Sequence, residues 1–164
     1  CSSDLQEFTD SNLQNAVDAQ PFPVLHLATH GQFSSTADET FVLAWNDRIN
    51  VRQFNSLLRS RERQDTNPIE LLVLSACQTA RGDNRAVLGL AGVAVRSGAR
   101  STLATLWAVR DESTAQLMAK FYKYLAEAGL SKAEALRRAQ LELLKGEYNH
   151  PVYWAPFVLV GNWL

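Results

Sequence analysis

The chain is poor in the residues that build cross-links and metal centres. It holds two cysteines, Cys1 and Cys77, and three histidines in 164 residues. Two thiols with no C-x-x-C spacing cannot make a disulfide framework and are a poor zinc set, so no metal is expected. Neither sign of charge is in excess: 16 Lys and Arg against 17 Asp and Glu leave a net charge of −1, with no long block of either sign. That excludes the basic footprint of a nucleic-acid binder and an electrostatic grip on an anionic membrane. No stretch approaches the ~20 apolar residues of a membrane span, and no signal-peptide pattern opens the sequence. Repeats and low-complexity tracts are missing too. These absences suit a reducing cytoplasm. The sequence opens on Cys1 rather than Met, which points to a piece of a longer protein.

What is present is the material of one globular domain over residues 1–164, 46% hydrophobic and 20% charged. Leu5, Phe8, Leu13 and Val17 lie at roughly helical spacing, with Thr9 or Asp10 placed to cap a helix over 11–19, before Pro21 and Pro23. "VLHLAT" reads as a short buried strand, "GQFSSTADET" as a polar loop, and "FVLAW" to "RIN" around Asn46-Asp47 as a hairpin. "VRQFNSLLRSR" has an amphipathic helical pattern, and "ERQDTNP" that of a surface loop. "IELLVLSA" is nearly continuously apolar, as in a strand covered on both faces. A small-residue helix is expected over 86–97, closed by Gly98, then a strand in "STLATLWAV". Two helices follow, "DESTAQLMAKFYKYLAEAG" ending at Gly129 and "SKAEALRRAQLELLKG", the latter with Ser131 and Glu134 as a capping box and Gly146 as its stop. "FVLVG" closes the chain as a strand. Alternating strands and helices predict a three-layer α/β domain, its mostly parallel sheet flanked by helices.

In such sheets, sites form beyond the carboxyl ends of the strands. Two strand candidates end on reactive groups, "VLHLATHG" on His30 and "LLVLSACQTA" on Cys77. A thiol with an ordinary pKa near 8.5 is mostly protonated at neutral pH, and a neighbouring imidazole can take its proton or return one to a leaving amine. Gly31 leaves a backbone N–H unshielded, and the Cys77 N–H is a natural second donor for an oxyanion. Plainer readings compete. A lone cysteine after an apolar run is often a buried small hydrophobe. His26, four residues before His30 and on the same strand face, rivals it as base but reads better as a packed or hydrogen-bonded core histidine. His150, before Pro151 in an aromatic cluster, reads as structural.

"LHLATHGQF", "LLVLSACQTA", "STLATLWAVRDEST" and "HPVYWAPFVLVG", in that order over residues 20–164, resemble the CHAT domain, the caspase-like domain that often follows tetratricopeptide repeats. A caspase signature, A-C-[RQG]-G with a histidine about 50 residues upstream, is partly kept. Ala76-Cys77-Gln78 match, Thr79 replaces the glycine, and His30 lies 47 residues before Cys77. The resemblance implies a caspase-like fold and a cysteine endopeptidase without metal or organic cofactor. His30 would be general base and acid, Cys77 the nucleophile, and the Gly31 and Cys77 amides the oxyanion donors. Gln78 stands where family members commonly carry Glu. Asp111 in "LWAVRDEST" matches a stretch that, in the similar separases, lines the pocket for a basic side chain before the scissile bond; it is equally placed to cap the following helix. The implied partners are a protein or peptide substrate and a restraint from tetratricopeptide repeats or a regulatory protein. CHAT domains usually carry a further strand-containing segment upstream, so a free apolar sheet edge is expected here.

Two other functions are compatible with parts of this pattern. A catalytically silent caspase-like interaction module would share the fold, although the intact Cys–His pair speaks against it. A flavodoxin-like phosphate binder would share the strand–helix alternation, but no G-x-G-x-x-G or G-x-x-x-x-G-K-[ST] follows a strand.

Overall fold

The computed structural model of the chain describes residues 6–19, 22–34, 36, 38–45, 47–50, 52–53, 56, 69–75, 77–79 and 98–164, and for Phe33 and 77–79 the backbone alone. The helix expected over 86–97 lies outside the described residues, as does the loop over 62–68. Of the one expected over 51–61, only Arg52, Gln53 and Ser56 are described, and they are helical.

In chain order the elements are α1 (Asp10–Ala19), β1 (Val24–Leu27), β2 (Gly31–Phe33), β3 (Phe41–Leu43), β4 (Arg48–Asn50), β5 (Leu71–Leu74), β6 (Cys77–Thr79), β7 (Ser101–Thr105), α2 (Asp111–Leu125), α3 (Lys132–Lys145), a 3-10 turn (Pro151–Tyr153) and β8 (Phe157–Gly161). The strands make two sheets, a main one in the order β1-β5-β7-β8 and a second in the order β4-β3-β2-β6. In the main sheet β1, β5 and β7 run parallel, and β8 returns antiparallel to β7. In the second, β3 and β4 form the expected hairpin and β2 pairs parallel with β6. The chain is thus a mixed α/β protein with a mostly parallel sheet flanked by helices.

β5 shows why its sequence is apolar throughout. Its side chains alternate between faces, and each face has its own core. Leu72 and Leu74 pack with Leu13 and Val17 of α1, Leu27 of β1 and Ile49 of β4. Leu71 and Val73 pack with Leu103 of β7, Leu117 and Phe121 of α2, and Ala139 and Leu143 of α3. Each such large side chain contributes roughly 1.5–3 kcal/mol on burial. β1 pairs only with β5 among the described residues, so its outer side is an edge. Val24, Leu25 and His26 are half-buried there and Leu27 is buried, so the expected edge is only partly exposed.

The helix signals divide. Thr9 caps α1, its Oγ1 accepting from Asn12 N at 3.2 Å. Ser131 caps α3, accepting from Glu134 N at 3.2 Å. The returning arm of the expected capping box is replaced. The Glu134 carboxylate turns instead to Arg137 and Arg138, whose hydrogen bonds pull its pKa down to about 2. α2 ends at Leu125, well before Gly129. No helix among the described residues is long and apolar enough to cross a membrane.

Candidate active site

Two short links carry the chain from the main sheet into the second. Ala28, Thr29 and His30 join β1 to β2, and Ser75 leaves β5 just ahead of β6. Because β1 and β5 are already parallel neighbours, with Leu27 level with Leu74, the links leave side by side. They arrive side by side too, with Gly31 level with Cys77. Paired strands lie about 4.8 Å apart, so the residue after His30 and the backbone of Cys77 are immediate neighbours. Cys77 therefore does not end a strand, as its sequence suggested, but begins one. The apolar pattern stops at Leu74, where β5 ends, because β6, "CQT", is short and polar; "GQF", expected as loop, is the strand parallel to it.

The histidine link is lashed to the hairpin. Thr29 Oγ1 donates to the Leu43 carbonyl at 2.7 Å, and Leu43 N donates to the His30 carbonyl at 2.7 Å. The His30 side chain is exposed. Gly31 follows, buried between β3 and β6. A Cβ there would sit 2.9 Å from the Phe41 carbonyl oxygen and 3.2 Å from Val42 Cγ1. Beyond baring an N–H, a glycine is needed here because β3 leaves no room for a side chain.

His30 lines a pocket of about 350 Å³ together with His26, Ser75, Asp111, Thr114 and Met118. His30 and Asp111, 81 positions apart in sequence (111 − 30), thus share one cavity wall system. Asp111 is exposed in the first turn of α2, where its charge favours the helix dipole. The cap position belongs to Arg110, which makes no side-chain cap bond, so the capping role weighed for Asp111 is not the one it has.

His26 is the hydrogen-bonded core histidine expected. Its Nε2 lies 2.7 Å from Ser75 Oγ and its Nδ1 2.9 Å from Tyr122 Oη on α2. Burial holds the imidazole below its ordinary pKa and pushes the Tyr122 phenol up to about 12. His30 does not share the β1 face with His26, since β1 ends at Leu27 and a bend at Thr29 intervenes; both meet the same pocket nonetheless. His150 caps the 3-10 turn, its Nδ1 accepting from Val152 N at 3.3 Å. Ser75 and Tyr122 were missed in the sequence. The one available signal was Ser75 itself, a hydroxyl ending the apolar run "IELLVLS".

The fold and these adjoining links define an α/β protein whose candidate site lies at the ends of parallel strands. The CHAT domain family model matches residues 4–162, and the chain belongs to that family. No curated protein matches the chain.

Proposed function

We propose that the chain is a cysteine endopeptidase domain with a three-layer caspase-like fold, in which Cys77 is the nucleophile and His30 its base and acid. Membership of the caspase-like CHAT family supports the class. The observation that carries the residue assignment is the parallel pairing of Gly31 with Cys77, which seats the histidine link against the cysteine link.

His30 takes the thiol proton and the Cys77 sulfur attacks the peptide carbonyl carbon. The oxygen gains negative charge, for which the Gly31 and Cys77 amides are the candidate donors, each worth roughly 3 kcal/mol in such sites. The C–N bond then breaks, and the departing amine takes the proton from His30. Water, deprotonated by His30, attacks the thioester, and the free acid and thiol are restored. Asp111, on the wall of the same pocket, would pair with an Arg or Lys side chain before the scissile bond.

A peptide-library digest with the full-length protein tests this. Cys77→Ala and His30→Ala are each expected to lower cleavage roughly 10⁶-fold. Cleavage undiminished in either variant rejects the dyad. Arg- or Lys-ended substrates should be preferred over Asp- or Leu-ended ones, and Asp111→Asn should erase that preference with at most a small drop in melting temperature. Cleavage only after Asp or Leu would remove Asp111 from the pocket's specificity.

A further inference from the structure

The peptidase reading leaves a buried polar cluster beneath His30 without a task. Tyr122 Oη has His26 Nδ1 as its hydrogen-bond partner, and Ser75 Oγ has His26 Nε2. No described residue offers either hydroxyl a second partner. These contacts admit two proton arrangements. If Nδ1 carries the proton, it donates to Tyr122 and Ser75 donates to Nε2, and the hydrogen left over is that of the half-buried phenol, which is no part of the pocket lining. If Tyr122 donates to Nδ1, the hydrogen left over is instead that of Ser75, which lines the pocket. Nε2 must then carry the ring proton and donate to Ser75 Oγ.

One hydrogen remains, that of Ser75 itself. Ser75 is buried, its amide donates to the Leu27 carbonyl at 3.2 Å, and it lines the pocket beside His30. Thr114 lines that pocket as well, its hydroxyl buried with no partner among the described residues. The cavity is therefore the only place where the Ser75 hydrogen can find an acceptor among the surroundings described.

We propose that Tyr122, His26 and Ser75 form a positioning chain, locked with the proton on His26 Nε2, that aims the Ser75 hydroxyl as a donor at a carbonyl oxygen of the peptide lying beside His30. The inference rests on the peptidase reading and adds a substrate contact to it. It also excludes a serine nucleophile. An Nε2 that already carries a proton cannot accept one from Ser75, and a neutral phenol on Nδ1 gives an imidazolium none of the support a carboxylate gives.

The ¹⁵N shifts of His26, assigned in the full-length protein by comparison with His26→Gln, decide the chain directly. A protonated Nε2 and a bare Nδ1 are expected; the reverse overturns the proposal whatever the activity. Ser75→Ala should then lower kcat/KM for the preferred peptide about tenfold, the worth of one neutral hydrogen bond. Tyr122→Phe, which removes the lock but no pocket atom, should fall by several-fold and serves if Ser75→Ala folds poorly. His26→Gln can accept from Tyr122 and donate to Ser75, so it should retain more activity than His26→Leu. Variants that melt lower yet keep wild-type kcat/KM would show a purely structural role and overturn the proposal. Activity lost in His30→Ala but unchanged in Ser75→Ala and Tyr122→Phe overturns it while leaving the peptidase reading. Activity retained in Cys77→Ala overturns both.

Discussion

The two sheets of this chain are built on opposite terms. The main sheet has strands of four and five residues, and β5 and β7 are buried along their whole length. Its residues are chosen for volume and for two-faced packing. The second sheet has strands of three residues, two of which begin at Gly31 and Cys77. Its residues are chosen for where they place the backbone. On the proposed peptidase function, stability and chemistry thus fall to different sheets, joined at His30 and Ser75.

This contrast can be broken experimentally. The largest stability loss is expected in the main sheet's core. Phe121→Ala on α2 deletes a side chain that is 0% exposed and should cost about 3–5 kcal/mol, read as a large drop in melting temperature. In the second sheet, Gly31→Ala should cost about 1–3 kcal/mol, because β3 must yield to the added methyl. Its cleavage activity should fall far more than that loss implies, since the shift falls on the backbone beside Cys77. If Gly31→Ala melts lower but cleaves normally, the division of labour fails. The smallest effect concerns His26. Below its ordinary pKa of 6.5 the unfolded chain protonates this histidine more readily than the native chain does. Stability should therefore fall as pH drops from about 6.5 through the lowered native value, then level off. The titratable groups around it are Tyr122 from α2 and, across the pocket, His30 and Asp111. Melting curves between about pH 7.5 and pH 5 should show a shallower slope in His26→Gln than in the wild type. An unchanged slope would assign the loss to other groups.

The same contrast governs what was legible from sequence. β5, β7, β8, α2 and α3 announce themselves, because a buried strand or an amphipathic helix writes its environment into several consecutive residues. β2 and β6 do not. "GQF" and "CQT" carry no apolar alternation, and their strand character comes from pairing with each other across 46 positions (77 − 31). The candidate residues of the proposed site, His30, Cys77 and Asp111, were named from sequence by their types and motifs. The support beneath them was not. The bonds from His26 to Ser75 and to Tyr122 span 49 and 96 residues of chain, and nothing local marks either partner. Glu134 shows the converse, a local signal that misled: its spacing spelled a capping box, but two nearby arginines outbid the backbone amide for its carboxylate.

The lashing of Thr29 and His30 to Leu43 has a mechanical corollary. β2 is held by the hairpin on one flank and by β6 on the other, so a push on the hairpin's outer strand, β4, reaches the imidazole and the thiol's backbone in one stroke. Whatever grips that outer strand pulls on the backbone at His30 and at Cys77 together, without entering the pocket that His30 lines.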